Sequence, residues 1–281
     1  MPNKEQILLH PVEPAKKYFE GEQKSIWGKE SKDFLKFIKT AKLHGFILNG
    51  GAGDGRYNNE LLERADRVIA ADVDPNPLQK LCKNTPPEYK QKLELNVFDI
   101  TKKFPYKNNS FDGFFSTGLL HIFPKEVFEN ISHEIHRVVK PGGKVILGFS
   151  TDMIRTKKDG ELHIYKGEPE YSLSEGEKLL KKTFKNEDFN IIKMLRSHSS
   201  ENNFRRSDPP YKLDSNYIYL LAKKKQLRPP LPHSIRPVIT PLFPLATPGV
   251  DLPWNIGISP SPTTRAPSPK PPSHPSQTPL K

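Results

Sequence analysis

A single cysteine, Cys82, stands in 281 residues. It excludes an internal disulfide and any cysteine-based zinc cage, so a reducing setting is expected. No apolar run reaches 18 residues, so no membrane-spanning helix is expected. Met1–Pro14 has no apolar stretch of signal-peptide length, and a cytoplasmic location follows as the expectation. Proline is scarce at first, 13 before Gln226, and then falls at 16 positions in the last 56 residues. A chain so interrupted by proline keeps neither helical nor strand periodicity. Residues 226–281 are therefore read as a disordered Pro-rich tail, whose Pro-Xaa-Xaa-Pro spacings would suit a proline-recognition module. Residues 1–225 have the length to bury one substantial core.

The net charge of +12 divides into +4 on the tail and +8 on residues 1–225. An excess of that sign suits an acidic partner such as RNA or an anionic metabolite. The lysines are scattered, however, with no stripe of basic and aromatic residues, and an ordinary solvated surface is the plainer reading.

Short apolar runs alternate with amphipathic segments. The runs are Phe46–Asn49, Val68–Asp72, Leu93–Val97, Gly113–Thr117 and Lys144–Phe149, followed by Ile191–Leu195 and Tyr217–Ala222. The first, second and fifth are nearly unbroken, as strands covered on both faces are. Helix patterns fall over Lys32–Ala41, Tyr57–Ala65, Pro77–Cys82, Val127–Val139 and Ser174–Phe184; the fourth of these runs into the stop signal Lys140-Pro141-Gly142-Gly143. The alternation predicts an α/β fold, a mostly parallel sheet with helices on both faces.

The first strand leads into Asn49-Gly50-Gly51-Ala52-Gly53-Asp54-Gly55-Arg56. A strand that turns into a helix over glycine lets a ligand lie against bare backbone. A triphosphate loop would end in Gly-Lys-Ser/Thr, and here the end is Gly55-Arg56-Tyr57. A dinucleotide loop would read Gly-x-Gly-x-x-Gly, and here the third glycine comes one position early with Arg56 in its place.

Gly-x-Gly-x-Gly after an apolar strand resembles motif I of the class I S-adenosylmethionine-dependent methyltransferases. Four more matches follow in order: Asp72 closing the second strand, Asp99 past the third, Asn109-Ser110-Phe111-Asp112 before the fourth, and Glu134-Ile135-His136-Arg137-Val138-Val139-Lys140-Pro141-Gly142-Gly143 before the fifth. They cover Phe46 to Phe149, about a third of the chain. The resemblance implies a Rossmann-like seven-stranded sheet of order 3-2-1-4-5-7-6, the last strand in sequence antiparallel. It divides residues 1–225 into an N-terminal helical segment (1–43), a cofactor-binding core (44–150) and acceptor-side and closing strands (151–225).

It also implies S-adenosyl-L-methionine as cofactor, in-line displacement as the reaction and a small molecule as acceptor. RNA or protein acceptors, or a non-catalytic binding protein on the same fold, are the alternatives. The methionine portion would lie on Gly51, Ala52, Gly53 and Gly55, with Asn49 bracing the loop where the family often has an acid. Asp72 would accept from the ribose hydroxyls with Val73 beside it. Asp99 and the backbone N–H of Ile100 would meet the adenine, and Thr117 would border the site. The leaving group is a neutral thioether, so no metal and no obligatory triad is expected. His121, after the fourth strand, is the candidate general base. His133 and His136 have a spacing that could share a metal but lack an evident third ligand. Tyr18, Trp27, Tyr165 and Tyr171 are candidates for the acceptor pocket.

Overall fold

A computed structural model describes Ser25 and residues 30–185, 188–202 and 211–226. Tyr18, Trp27 and the proline-rich stretch after Gln226 lie outside the described residues. A first helix, α1 (Lys32–Thr40), leads to β1 (Phe46–Gly50), and α2 (Asn58–Arg64) leads to β2 (Arg67–Asp72). Next come α3 (Pro75–Asn84), a single turn α4 (Pro87–Lys90), β3 (Leu93–Val97) and β4 (Phe111–Thr117). A 3₁₀ turn (Leu120–Ile122), α5 (Lys125–Val138), β5 (Val139–Lys157), α6 (Leu173–Phe184), β6 (Phe189–Asn202) and β7 (Tyr211–Lys224) complete the described chain.

The strands form one sheet of order β3-β2-β1-β4-β5-β7-β6. The pairs among β3, β2, β1, β4 and β5 are parallel, and those of β7 with β5 and β6 are antiparallel. Successive strand residues point to opposite faces. Phe114 and Leu147 thus join one apolar cluster with α5 and α6, whereas their neighbours Phe115 and Ile146 join another with α1 and α2. The expected order, the antiparallel last strand and the helices on both faces are all present.

The strand lengths differ from expectation on one side only. β6 and β7 have 14 residues each and β5 has 19, against the five or six read from apolar runs. Their outer portions are held by cross-strand pairing rather than by apolar burial. The stop signal at 140–143 ends α5 at Val138, but β5 starts at once, at Val139. The ladder between β4 and β5 steps from Phe111↔Val139 to Gly113↔Lys144, so Lys140–Gly143 bulge out of it.

The signature before β5 serves as a brace. Arg137 donates to Glu134 and to the carbonyls of Phe104 and Tyr106, and Glu134 accepts from the Phe104 N–H at 2.7 Å. Lys140 pairs with Asp112 at 2.8 Å, and Asp112 also accepts from the Phe46 N–H. The segment after Asp99 and the foot of β1 are thereby fixed.

Candidate active site

β1, β2 and β4 end side by side at Gly50, Asp72 and Thr117, and neighbouring strands leave β1 on either side, toward β2 and toward β4. Ligands of open α/β sheets bind at such a switch point, outside the carboxyl ends of the strands. The glycine loop lies there. It folds onto the end of β2, the N–H groups of Gly51 and Ala52 both donating to the Ala71 carbonyl at 2.8 and 2.9 Å. Gly51 has φ +70°, and a Cβ on it would collide with Leu119 Cδ2. Only glycine meets both demands.

Asp72 is joined to this loop. Its Oδ2 accepts from the Gly53 N–H at 2.9 Å and its Oδ1 from the Asp74 N–H at 3.2 Å. Burial pushes its carboxyl above the ordinary carboxylate value, and the N–H groups of Gly53, Asp74 and Val73 offset that only in part. Val73, next to it, leaves 45% of its surface exposed, an apolar side chain bordering the same end of the sheet. Asp99 Oδ1 accepts from the Thr101 N–H and hydroxyl at 2.8 and 2.7 Å. The Ile100 side chain is buried beneath Gly50. Asn49 is buried in β1 between Ala70 and Phe115 in register. After Thr117, Gly118 has φ +71° and open space around its Cβ position.

His121 lies in the 3₁₀ turn, 5% exposed, its ring edge-on to Phe149 at 6.1 Å. His133 is exposed while His136 packs on Phe184 and Phe189, so the two do not converge. Among the described residues no group of three or more His, Cys, Asp or Glu could hold a metal, and no helix is long and apolar enough to cross a membrane. Tyr171 donates to the Phe123 carbonyl at 2.9 Å, tying the segment after β5 to the turn that carries His121. The Tyr165 ring lies 4.9 Å from the Arg155 guanidinium.

Sequence reasoning missed two buried ion pairs. Asp54, inside the glycine loop, meets Lys80 of α3 at 3.0 Å, with side chains 0% and 6% exposed. Arg155 of β5 forms two bonds to Glu168, 2.7 and 2.8 Å, with side chains 8% and 5% exposed. A signal for the first existed, since Lys80 stands between Leu78 and Leu81 on a helix whose other apolar positions face the core.

Residues 48–147 match the family described as "Methyltransferase domain". Over that third of its length the chain is similar to a methyltransferase domain. A curated relative, the 2-heptyl-1-hydroxyquinolin-4(1H)-one methyltransferase of Mycobacteroides abscessus, is 26% identical over 120 residues, 43% of this chain. The chain spans about half of that relative's length, 52%. Among solved structures, a SAM-dependent methyltransferase of Methanosarcina mazei has a TM-score of 0.51 at 17% identity, covering 72% of this chain and all of its own. The [4+2]-cyclase SpnF has a TM-score of 0.54 at 16% identity, covering 75% of this chain and 87% of its own. At such identities the structures bear on the fold alone, and SpnF is named for a reaction other than methyl transfer.

Proposed function

We propose that this chain transfers a methyl group from S-adenosyl-L-methionine to a small-molecule acceptor. The observation that carries this is the union of Asp72 with the glycine loop through the Gly53 N–H, at the carboxyl ends of the parallel strands. The donor set fits an adenosyl group. It offers two carboxylates, Asp72 and Asp99, for hydroxyl and amino donors, and Lys80, the lysine beside the loop, is engaged by Asp54 rather than turned to a phosphate. Gly51, Ala52, Gly53 and Gly55 would hold the methionine portion, with Asn49 supporting the loop. Asp72 would take the ribose hydroxyls, Val73 would lie against the adenine, and Asp99 and the Ile100 N–H would meet its edge. Thr117 would border the space where donor and acceptor meet.

Bound, the donor supplies a methyl group on a sulfonium, whose departure leaves a neutral thioether that needs no protonation. The work left to the protein is orientation, which rigid loops and strand ends supply. Where the acceptor must lose a proton, His121 is the proposed base. His121→Asn keeps a buried polar group that does not titrate, and it is expected to flatten the acid limb of the rate–pH profile. An unchanged profile assigns His121 to packing against Phe149. The small-molecule acceptor is supported by the name of the Mycobacteroides abscessus relative.

Calorimetry of the full chain with S-adenosylhomocysteine tests the donor site. Asp72→Ala is expected to weaken binding by about 1.5–3 kcal/mol, roughly 10- to 150-fold, through loss of hydrogen bonds to a charged acceptor. Equal affinity in that variant removes Asp72 from the site. Radiolabelled methyl transfer to fractionated small molecules, RNA and protein then identifies the acceptor. Label in RNA or protein moves the acceptor class, and donor binding without transfer to any pool makes the chain a binding protein.

A further inference from the structure

β5 pairs with β4 as far as Thr117↔Gly148, and then runs nine residues further, to Lys157, beside β7 and β6. At ~3.3 Å per residue this overhang reaches up to about 30 Å past the end of β4. A bulge between Thr151 and Ile154 interrupts its ladder with β7. Its strands are joined to the glycine loop by a contact 145 residues apart in sequence. Arg56, the residue after Gly55, places Nη2 3.2 Å from Glu201 Oε1 near the end of β6.

Several observations separate this contact from an ordinary surface ion pair. The two side chains are only 20% and 17% exposed, so solvent screens them less than a pair at the surface. The Arg56 guanidinium lies 5.4 Å from the centre of the Tyr57 ring, and Tyr57 accepts from the Ser31 N–H at 2.9 Å, so the loop end of the contact is itself anchored. Glu201 stands opposite Leu213, and Leu213 opposite Arg155. Residues directly opposite on paired strands share a face. One row therefore leads from Arg56 through Glu201, Leu213 and Arg155 to Glu168, that is, from the donor loop to the segment after β5.

We propose that the Arg56–Glu201 ion pair is a clamp that sets the β6–β7 hairpin against the glycine loop, making both residues positioning residues for methyl transfer. The inference rests on the reading of the loop as the donor site. Transfer depends on alignment, and the donor loop and the overhang belong to different halves of the sheet. A bond between them makes ordering of either half favour the other. By linkage, the coupling is reciprocal: what donor binding does to the hairpin, the hairpin does to donor affinity by the same factor.

Hydrogen exchange of the full chain, with and without S-adenosylhomocysteine, tests this. Backbone amides at 196–202 and 211–217 should exchange about 5-fold more slowly with the ligand bound. In Glu201→Gln that slowing should vanish, and calorimetry should show affinity for S-adenosylhomocysteine weaker by a similar factor. Arg56→Lys keeps the charge without the planar fork and should retain part of both effects. A merely structural contact would lower the melting temperature in these variants without changing the ligand-dependent part of exchange. Ligand binding to the wild type with no protection of the hairpin, or protection that persists in Glu201→Gln, overturns the clamp. No binding to the wild type overturns the donor reading, and the clamp with it.

Discussion

The two halves of the sheet are built differently. In the parallel half β1 to β4 are five to seven residues long, and β1, β2 and β4 end together, so backbone ends and a short loop form the site. In the other half β5, β6 and β7 are 14 to 19 residues long and run past that level. The family match stops at Leu147, before the overhang begins. Among the described residues each half also has one deeply buried ion pair, Asp54–Lys80 in the first and Arg155–Glu168 in the second.

Those two pairs give the largest expected effects. Removing one partner of a buried pair leaves an uncompensated charge and costs about 3–5 kcal/mol. Glu168→Ala should lose that much stability, read by urea denaturation, while its affinity for S-adenosylhomocysteine stays near that of the wild type. Lys80→Ala should lose a similar amount and also weaken the ligand, because Asp54, whose charge Lys80 balances, lies within the loop itself. If both variants weaken the ligand equally, the halves are not separable and the comparison fails.

The same division decided what could be read in advance. In the parallel half burial, register and chemistry all use residues close together in sequence. An apolar run ends in glycines, an acid ends the next run, and Glu134, Arg137 and Lys140 announce β5. In the antiparallel half the outer parts of the strands, toward Lys157, Asn202 and Tyr211, carry polar residues on both faces, as at Arg196, Ser197 and Lys212. Nothing there alternates cleanly, so an apolar-run reading stops short and finds only the central part of each strand. The ion pairs escaped for a related reason. Asp54 and Lys80, or Arg56 and Glu201, are ordinary surface types in sequence, and only the fold brings them together. The histidines show the reverse failure. His121, His133 and His136 attract attention by type, yet one is buried on Phe149, one is exposed and one packs on Phe184 and Phe189.

A smaller effect belongs to the loop's backbone. Gly51→Ala forces a side chain onto φ +70° and into Leu119. It should cost about 1–3 kcal/mol by thermal or urea unfolding. Leu119→Ala in the same chain should return the part due to collision and leave the part due to φ. Full recovery would mean that the loop's conformation is unstrained, and that its glycines serve only close approach.

The smallest expected effect is one of pH, and it separates the two ends of the parallel half. Asp72, at the carboxyl end, is held above the ordinary carboxylate value, chiefly by burial. Asp112, at the foot of β1, is also raised by burial, but bonds from Lys140 and the Phe46 N–H outweigh this and hold it below the ordinary value. The signs therefore oppose. Asp112 contributes stability above its unfolded pKa, and that contribution is lost as pH falls through its folded value. Asp72 contributes most below its unfolded pKa and loses that contribution as pH rises through its folded value. Binding runs the other way at Asp72, since only the carboxylate offers full acceptor strength to ribose hydroxyls. Affinity for S-adenosylhomocysteine should accordingly begin to fall at a higher pH than an ordinary aspartate would give, while Asp72's own share of stability grows. Asp72→Asn should remove that pH dependence from both binding and unfolding. Binding that stays flat down to the ordinary carboxylate range would mean that the buried carboxyl of Asp72 does not face the donor.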